Sequence, residues 1–145
     1  NSSGALVWNP HNLVVSSEDL TNAAWTKTAV TAEAGSITED STNSFHGLRN
    51  GALSVTKNTF EVEAKEDSGR YVVVSLGEST TTTKGGAVVA DLQTGTILRA
   101  VGNKLVSSSI ASASDGYYLI KLTVDNTGAG SNPFPFIFMS FIMLY

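Results

Sequence analysis

The residues that decide the fold are TFEVEAK, at positions 59–65, in which apolar and charged side chains alternate without a break. Successive side chains of a β-strand point to opposite faces, so this period of two predicts a strand with one buried face and one wet face. We expect Phe60, Val62 and Ala64 to face a core and the charged residues between them to face water. Helical periodicity, in contrast, is nearly absent from the chain.

Apolar runs separated by turn-forming residues continue on both sides of this stretch. The group Glu66-Asp67-Ser68-Gly69 predicts a hairpin that joins 59–65 to the next run, RYVVVSL at 70–76. Upstream, SSED at 16–19 resembles a helix-start signal, with room for a short helical turn before Trp25. Further strands are expected at 6–8, 13–15, 25–32, 45–55, 86–92, 96–101, 105–111 and 117–124. Short strands at this spacing predict an all-β protein built as an antiparallel β-sandwich.

The composition also bounds the function. Its 145 residues predict a single domain over 1–145, and its 18 serines, 16 threonines and 13 glycines suit short strands and many turns. The absence of cysteine excludes disulfides, thiolate chemistry and cysteine-based zinc sites. Thirteen acidic against nine basic residues give a net charge of −4, which disfavours nucleic-acid binding. The longest apolar run, at 133–145, is shorter than the about 20 residues of a membrane-spanning helix, so no membrane partner is expected.

Catalytic residues are not indicated by any motif. Glu61 and Glu63 share the wet face of one strand, roughly 7 Å apart, but one side of a strand offers no opposing carboxylates that flank a glycosidic bond. The two histidines, His11 and His46, are far apart in sequence and form no metal-binding spacing. No G-x-S-x-G elbow is present. We therefore expect no catalytic residues and no enzymatic activity.

Aromatic side chains are the candidate ligand-binding residues, because sugars stack their C–H groups on flat aromatic faces. Tyr117 and Tyr118 are neighbours on a predicted strand, so one must point into the core and the other out. The outward member of this pair is the predicted sugar platform. Trp25 opens a predicted strand and is expected in the core.

Five short motifs follow one another along the chain. They are NLVVSSEDLTNAAW at 12–25, SFHGL at 44–48, FEVEAK at 60–65, DLQTGT at 91–96 and DGYY at 115–118. In this order they resemble a jelly-roll domain common in phage head and tail fibre proteins. The resemblance covers roughly residues 12–125 and implies a β-sandwich of jelly-roll type.

The resemblance implies two kinds of function and one ion. Relatives of this jelly-roll serve as virion fibre or decoration domains, or as carbohydrate-binding modules beside polysaccharide-degrading enzymes. Such modules often hold a structural calcium between their terminal strands, for which Glu18, Asp19 and Asp125 are the candidate ligands; no other cofactor is expected. Glu18 and Asp19 serve equally well as helix-start residues. The family's final strand, x-V-W-G-A-Q-L-E-x-G, is replaced here by 133–145, so no site from that strand carries over.

That final segment, PFPFIFMSFIMLY at 133–145, is apolar on both faces when it is drawn as a strand. A half-wet sandwich strand alternates, so this one is expected to be buried on both sides. Either it is a central strand whose outer face is covered by loops, or its outer face meets another subunit. In the second case the alternate phenylalanines face the core, and a homo-oligomer forms through Ile137, Met139 and Phe141.

Together these features favour a structural role. We expect a phage virion protein, a capsid decoration protein or a head or tail fibre domain, that docks onto other virion proteins and copies of itself and adds glycan adhesion. The alternative is a non-catalytic carbohydrate-binding module that binds surface polysaccharide beside a polysaccharide-degrading enzyme. The expected location is the virion surface, or the extracellular space for the alternative.

Overall fold

The structure is a computed structural model that describes residues 13–42, 45–53, 56–66, 69–77, 85–128 and 133–139. These ranges contain eleven β-strands and one 3₁₀ turn, Ser114–Gly116, and no α-helix. The strands are β1 Thr26–Thr28, β2 Val30–Glu33, β3 Ser36–Glu39, β4 Gly47–Arg49, β5 Lys57–Ala64, β6 Tyr71–Gly77, β7 Gly85–Asp91, β8 Thr96–Val101, β9 Leu105–Ser112, β10 Tyr118–Asp125 and β11 Phe134–Met139. The described part of the chain holds no helix that is long and apolar enough to span a membrane.

The strands form three antiparallel sheets. A six-stranded sheet has the order β1-β4-β11-β6-β7-β8, a three-stranded sheet has the order β5-β10-β9, and β2 and β3 form a separate pair. Every pairing among these strands is antiparallel. The expected all-β, antiparallel class is therefore confirmed.

The core lies between the six-stranded and the three-stranded sheet. From β5, Phe60 is buried and both Val62 and Ala64 pack against the core, whereas Glu61 and Glu63 are exposed. This is the alternation that the sequence of 59–65 predicts. Both sheets contribute fully buried side chains, which are Val74, Leu76 and Val88 from one sheet and Ile120, Leu122 and Val124 from the other. The two sheets thus share one core in a β-sandwich-like architecture.

The predicted hairpin between 59–65 and 70–76 is wrong. β5 pairs with β10 in the three-stranded sheet, whereas β6 lies between β11 and β7 in the six-stranded sheet. The two strands differ in pattern, because β5 alternates but β6 is buried at nearly every position. A strand that is buried on both faces belongs in the middle of a covered sheet. The short connection from β5 to β6 therefore crosses from one sheet to the other.

The segment before β1 is a series of turns and not the strand expected at 13–15 followed by the short helix expected between 16–19 and Trp25. Hydrogen bonds from Asp19 N to Ser16 O (3.1 Å), from Asn22 N to Asp19 O (3.2 Å) and from Trp25 N to Asn22 O (3.1 Å) close three consecutive turns. Trp25 is buried, as expected, and its indole Nε1 donates to Ser16 O at 3.0 Å. The strand expected at 25–32 is split into β1 and β2 at Ala29, whose φ is 51°. The strand expected at 6–8 lies outside the described residues.

The final strand β11 is central in its sheet, with β4 on one side and β6 on the other. Ile137 pairs with Leu48 on β4 and with Val74 on β6, and all three side chains belong to the core. The assignment of Ile137 to a subunit interface is therefore corrected, because this residue is only 9% exposed and faces inward. Neighbouring residues of a strand point in opposite directions, so Phe136 lies on the other face of the sheet, where it is also buried, at 5% exposure. The side chains of Met139 and Phe141, the other two predicted interface residues, lie outside the described part of the chain.

We expect the change Ile137→Ala to lower the free energy of unfolding by about 2–5 kcal/mol, because it leaves a cavity between the two sheets. Denaturant unfolding at equilibrium measures this change. The control Glu63→Gln alters an exposed side chain and should change the free energy by less than about 0.5 kcal/mol. An unfolding free energy unaffected by Ile137→Ala, together with a change in oligomeric mass, would restore the interface assignment.

Candidate functional site

The structure decides which tyrosine of the predicted sugar platform points outward. The 3₁₀ turn places Asp115 in the left-handed region (φ 56°) and leads into β10 through Tyr117. Tyr118 packs against the core, and its ring lies so close to Gly95 that a Cβ at that position would collide with it. Tyr117 is half-buried on the other side, with the Lys65 ammonium 4.8 Å from the centre of its ring. Tyr118 is therefore removed from the candidate ligand-binding residues, and Tyr117 remains.

The turn that contacts Tyr118 is organised by the Asp91 carboxylate. Arg70, just before β6, donates to it through two nitrogens, from Nε to Oδ1 at 3.0 Å and from Nη2 to Oδ2 at 2.7 Å. The backbone N–H groups of Gln93 (2.9 Å) and Thr94 (3.4 Å) also donate to Oδ1. Asp91 therefore joins the start of β6 to the end of β7 and shapes the turn into β8.

These contacts set the charge state of Asp91. Hydrogen bonding to the Arg70 guanidinium holds the pKa of the carboxyl far below its usual range, and the N–H groups of Gln93 and Thr94 act in the same direction. Burial of the carboxylate opposes this shift without cancelling it. A paired and hydrogen-bonded carboxylate of this kind is a structural anchor, so the motif at 91–96 has a role in folding.

The outer face of the three-stranded sheet is polar. Lys121 Nζ donates to Glu61 Oε1 at 2.8 Å, and the hydroxyls of Thr59 and Thr123 are 2.7 Å apart. Each of these pairs joins residues directly opposite each other on β5 and β10. Glu63 lies on the same exposed face, opposite Leu119. The two glutamates thus share a solvated face, and one of them is engaged in an ion pair.

Two of the candidate calcium ligands, Asp19 and Asp125, accept hydrogen bonds from residues two positions further along the chain. Asp19 Oδ1 accepts hydrogen bonds from Thr21 N (3.0 Å) and Thr21 Oγ1 (2.6 Å), and Asp125 Oδ1 accepts one from Thr127 N (3.0 Å). The hydrogen bonds from the two threonines lower the pKa of each carboxyl. Glu18 is exposed and lies next to Asp19. Within the described ranges, no three His, Asp or Glu side chains come together as a metal-binding group.

Of the two histidines, the structure describes only His46. His46 is buried at the start of β4, and its Nε2 lies 2.8 Å from the carbonyl oxygen of Thr42. Because a carbonyl only accepts, this contact places a proton on Nε2. Its Nδ1 is buried without a hydrogen-bond partner. His11 lies outside the described residues.

The outer face of the six-stranded sheet carries a row of phenylalanines, with Arg49 and Ser75 directly opposite Phe136. Three phenylalanines of β11 lie along it, with ring centres 6.5 Å apart for Phe134 and Phe136 and 5.4 Å apart for Phe136 and Phe138. Phe45 meets Phe138 edge to face at 4.6 Å, and the Arg49 guanidinium lies 5.3 Å from the centre of the Phe134 ring. We call the four phenylalanines the aromatic strip.

A groove of about 340 Å³ opens beside the aromatic strip, between Phe45, Phe136 and Arg49 and the threonines of β1, Thr26 and Thr28. Gly47 makes this packing possible, because a Cβ there would lie 2.7 Å from the Phe138 ring. A second groove of about 350 Å³ lies at the end of the three-stranded sheet and is lined by Asn103, Lys104, Leu105, Val106, Asp125 and Thr127.

Sequence reasoning identified the apolar final segment but placed its outward side chains on the wrong face. The regular signal was the phenylalanine at every second position, 134, 136 and 138, which marks one face of a strand. The Arg70–Asp91 pair carried no comparable signal, because its two members are separated by two strands. Phe45 was expected inside a long strand at 45–55, and the structure instead leaves it 42% exposed before β4.

No protein-family model matches the chain, and no curated protein matches it at a significant level. The resemblance to the phage jelly-roll domain stays a prediction.

We expect acid to remove the stabilisation that Asp91 supplies. Because its pKa is lowered in the folded state, the stabilisation is complete above the unfolded pKa of about 4 and is lost as the pH falls below that value. Urea unfolding from neutral to strongly acidic pH should show a smaller acid loss for Asp91→Asn than for the unchanged protein. The control Asp115→Asn, on the exposed 3₁₀ turn where asparagine also adopts positive φ, should keep the full acid loss. Parallel curves for Asp91→Asn and the unchanged protein would contradict this role.

Proposed function

We propose that this protein is a structural component of a phage virion, a capsid decoration protein or a head or tail fibre domain of jelly-roll type. It acts by docking onto copies of itself and onto other virion proteins through the outer face of the six-stranded sheet. The observation that carries this proposal is the aromatic strip on that face. The all-β, antiparallel architecture and the motif resemblance at 12–125 agree with it.

The two outer faces of the protein differ in a way that supports docking. The outer face of the three-stranded sheet carries the Lys121–Glu61 ion pair and the threonine hydroxyls, as a solvated face should. The face with the aromatic strip continues in Val73 and Val89, which lie directly opposite each other on β6 and β7. Val73 is also opposite Phe138 of β11. On this face Phe45 is exposed, Val73, Val89, Phe134 and Phe138 are half-buried, and Phe136 is buried. The exposed and half-buried apolar side chains form the patch that we propose as a protein–protein contact.

A second copy of the chain is the partner that this face fits best. In a two-fold dimer the same patch meets itself, so an apolar patch is self-complementary whereas a charged patch would repel its copy. Arg49 lies against the Phe134 ring and can keep its charged end in water, and Arg99 lies opposite Val89 at the far side of the same face. The proposed homo-oligomer therefore forms through the aromatic strip and not through Ile137.

We expect Phe45→Ser to weaken self-association, because it removes the most exposed ring of the aromatic strip. Size-exclusion chromatography with light scattering, over a range of protein concentrations, measures the effect. The matched control is Val106→Ser on β9 of the three-stranded sheet, where an apolar side chain is 57% exposed against 42% for Phe45. The unchanged protein and the Val106 variant should be oligomers, and the Phe45 variant should shift towards the monomer. A monomeric unchanged protein at every concentration would contradict docking through copies of itself.

The second candidate function is a carbohydrate-binding module, and the position of Tyr117 favours it. Its half-buried ring lies beside the Lys65 ammonium, so an aromatic face and a hydrogen-bond donor occur together. The exposed carboxylate of Glu63 lies two residues before Lys65 in the chain. Neighbouring capsid genes would favour the virion role, and a catalytic domain in the same gene would favour the module.

Under this second function, Tyr117→Ala should reduce the signal of the protein on a broad glycan array. The matched control is Tyr71→Ala, which removes a half-buried tyrosine stacked on Arg70 at 5.0 Å, on the other sheet. Binding that survives in the Tyr71 variant and falls in the Tyr117 variant supports the module. A silent array at high protein concentration would contradict it and leave the virion role untouched.

A further inference from the structure

One dipeptide outside both candidate surfaces carries chemistry of its own. Asn50 and Gly51 follow β4, and Asn50 is only 2% exposed. The backbone N–H of Asn50 donates to Pro135 O at 3.0 Å, which holds it against β11. Its side-chain Nδ2 donates to Val15 O at 2.9 Å, and the Gly51 N–H donates to Asn50 Oδ1 at 3.0 Å. The side-chain amide therefore ties the turns before β1 to the end of β4.

We propose that Asn50–Gly51 is a site of spontaneous modification, at which the side-chain amide of Asn50 is lost and an aspartate or isoaspartate forms. The hydrogen bond from Asn50 to Val15 holds this reaction in check while the turns before β1 stay in place. The site sets a chemical lifetime for the attachment of that segment, independently of the proposed function.

The reaction needs only water and hydroxide. Hydroxide removes the proton from the Gly51 backbone nitrogen, and this nitrogen attacks Asn50 Cγ. The new N–Cγ bond closes a five-membered succinimide, the Cγ–Nδ2 bond breaks, and the side-chain nitrogen takes a proton from water and leaves as ammonia. Water then opens the ring at either carbonyl, which gives aspartate or isoaspartate, and no electrons are transferred.

The geometry brings the reacting groups together but restrains the reaction. Gly51 has no side chain to hinder ring closure, and its nitrogen lies beside the Asn50 carboxamide, but its N–H proton is held by Oδ1 until hydroxide removes it. The leaving nitrogen, however, is held by the Val15 carbonyl, and burial keeps water from the ring carbonyls. Local opening of the turns before β1 removes both restraints at once.

The product would not fit the same site. A carboxylate at position 50 has no proton to donate to Val15 O, and two acceptor oxygens would face each other in a buried place. The turns would keep the core packing of Val14 and Leu20 and the hydrogen bonds from Trp25 Nε1 and Lys27 Nζ, but would lose this tie to the end of β4. Modification therefore loosens the segment that protected the site.

The test follows conversion of residue 50 by peptide mapping and an isoaspartate assay, in mildly alkaline buffer, with and without urea. Conversion should be at least about tenfold slower in the folded protein than in the unfolded chain, because it waits for local opening. Trp25→Phe removes one hydrogen bond of the turns and Lys27→Met removes three, without touching Asn50, and each should speed conversion in the folded protein. Gly51→Ala should suppress conversion with and without urea, and the space around Gly51 accepts a methyl group.

Equal rates in folded and unfolded chains would overturn the protective role of the fold. An unfolded chain that forms no aspartate or isoaspartate at position 50 would overturn the site itself. Asn50→Asp gives an independent readout that does not depend on the reaction rate. Hydrogen exchange of residues 13–25 should rise in this variant while the three-stranded sheet stays protected, and unchanged exchange would contradict the structural consequence.

Discussion

The Asp91 carboxylate is the constraint on which much of this structure depends. It accepts two hydrogen bonds from Arg70 and two from the backbone of the turn that follows it, so one side chain fixes the ends of β6 and β7 and the path into β8. The same turn presents Gly95, whose positive φ and missing side chain make room for the ring of Tyr118 on β10. The pair Arg70–Asp91 thus orders its own sheet and also prepares the surface on which the other sheet packs.

The two outer faces of the sandwich carry different side chains, and this difference is the basis of the proposed docking role. The three-stranded sheet turns an ion pair and hydroxyls to water, whereas the outer face of the six-stranded sheet carries a row of phenylalanines beside Arg49 and Ser75. A strand such as β11, with apolar side chains on both faces, places one row in the core and leaves the other row for a second contact. The proposed docking role follows from that second row. The weaker sugar-binding candidate depends on the single outward ring of Tyr117.

Several elements could be predicted from the sequence because local patterns determine them. The alternation at 59–65 gave the orientation of β5, and the apolar runs at 86–92, 96–101, 105–111 and 117–124 lie within one residue of β7 to β10 at each end. The predicted hairpin between β5 and β6 was wrong, because a turn sequence does not determine whether the next strand stays in the same sheet. β3 was missed, because SITE at 36–39 is short and largely polar. The candidate sites were predicted in part. The sequence identified the apolar final segment and the tyrosine pair, but not which of their side chains point outward.

The sequence by itself determined that this chain forms antiparallel strands with one shared core, since periodicity and turn residues act over a few neighbouring positions. Only the tertiary structure decided which side of β11 faces inward. With apolar residues at every position from Phe136 to Phe138, both orientations bury similar area, and the choice is made by Leu48 and Val74, which lie opposite Ile137 on strands far away in sequence. The same holds for Tyr117 and Tyr118, because the deciding contact is Gly95 on the other sheet. Orientation depends on pairing between distant strands, and local sequence does not contain it.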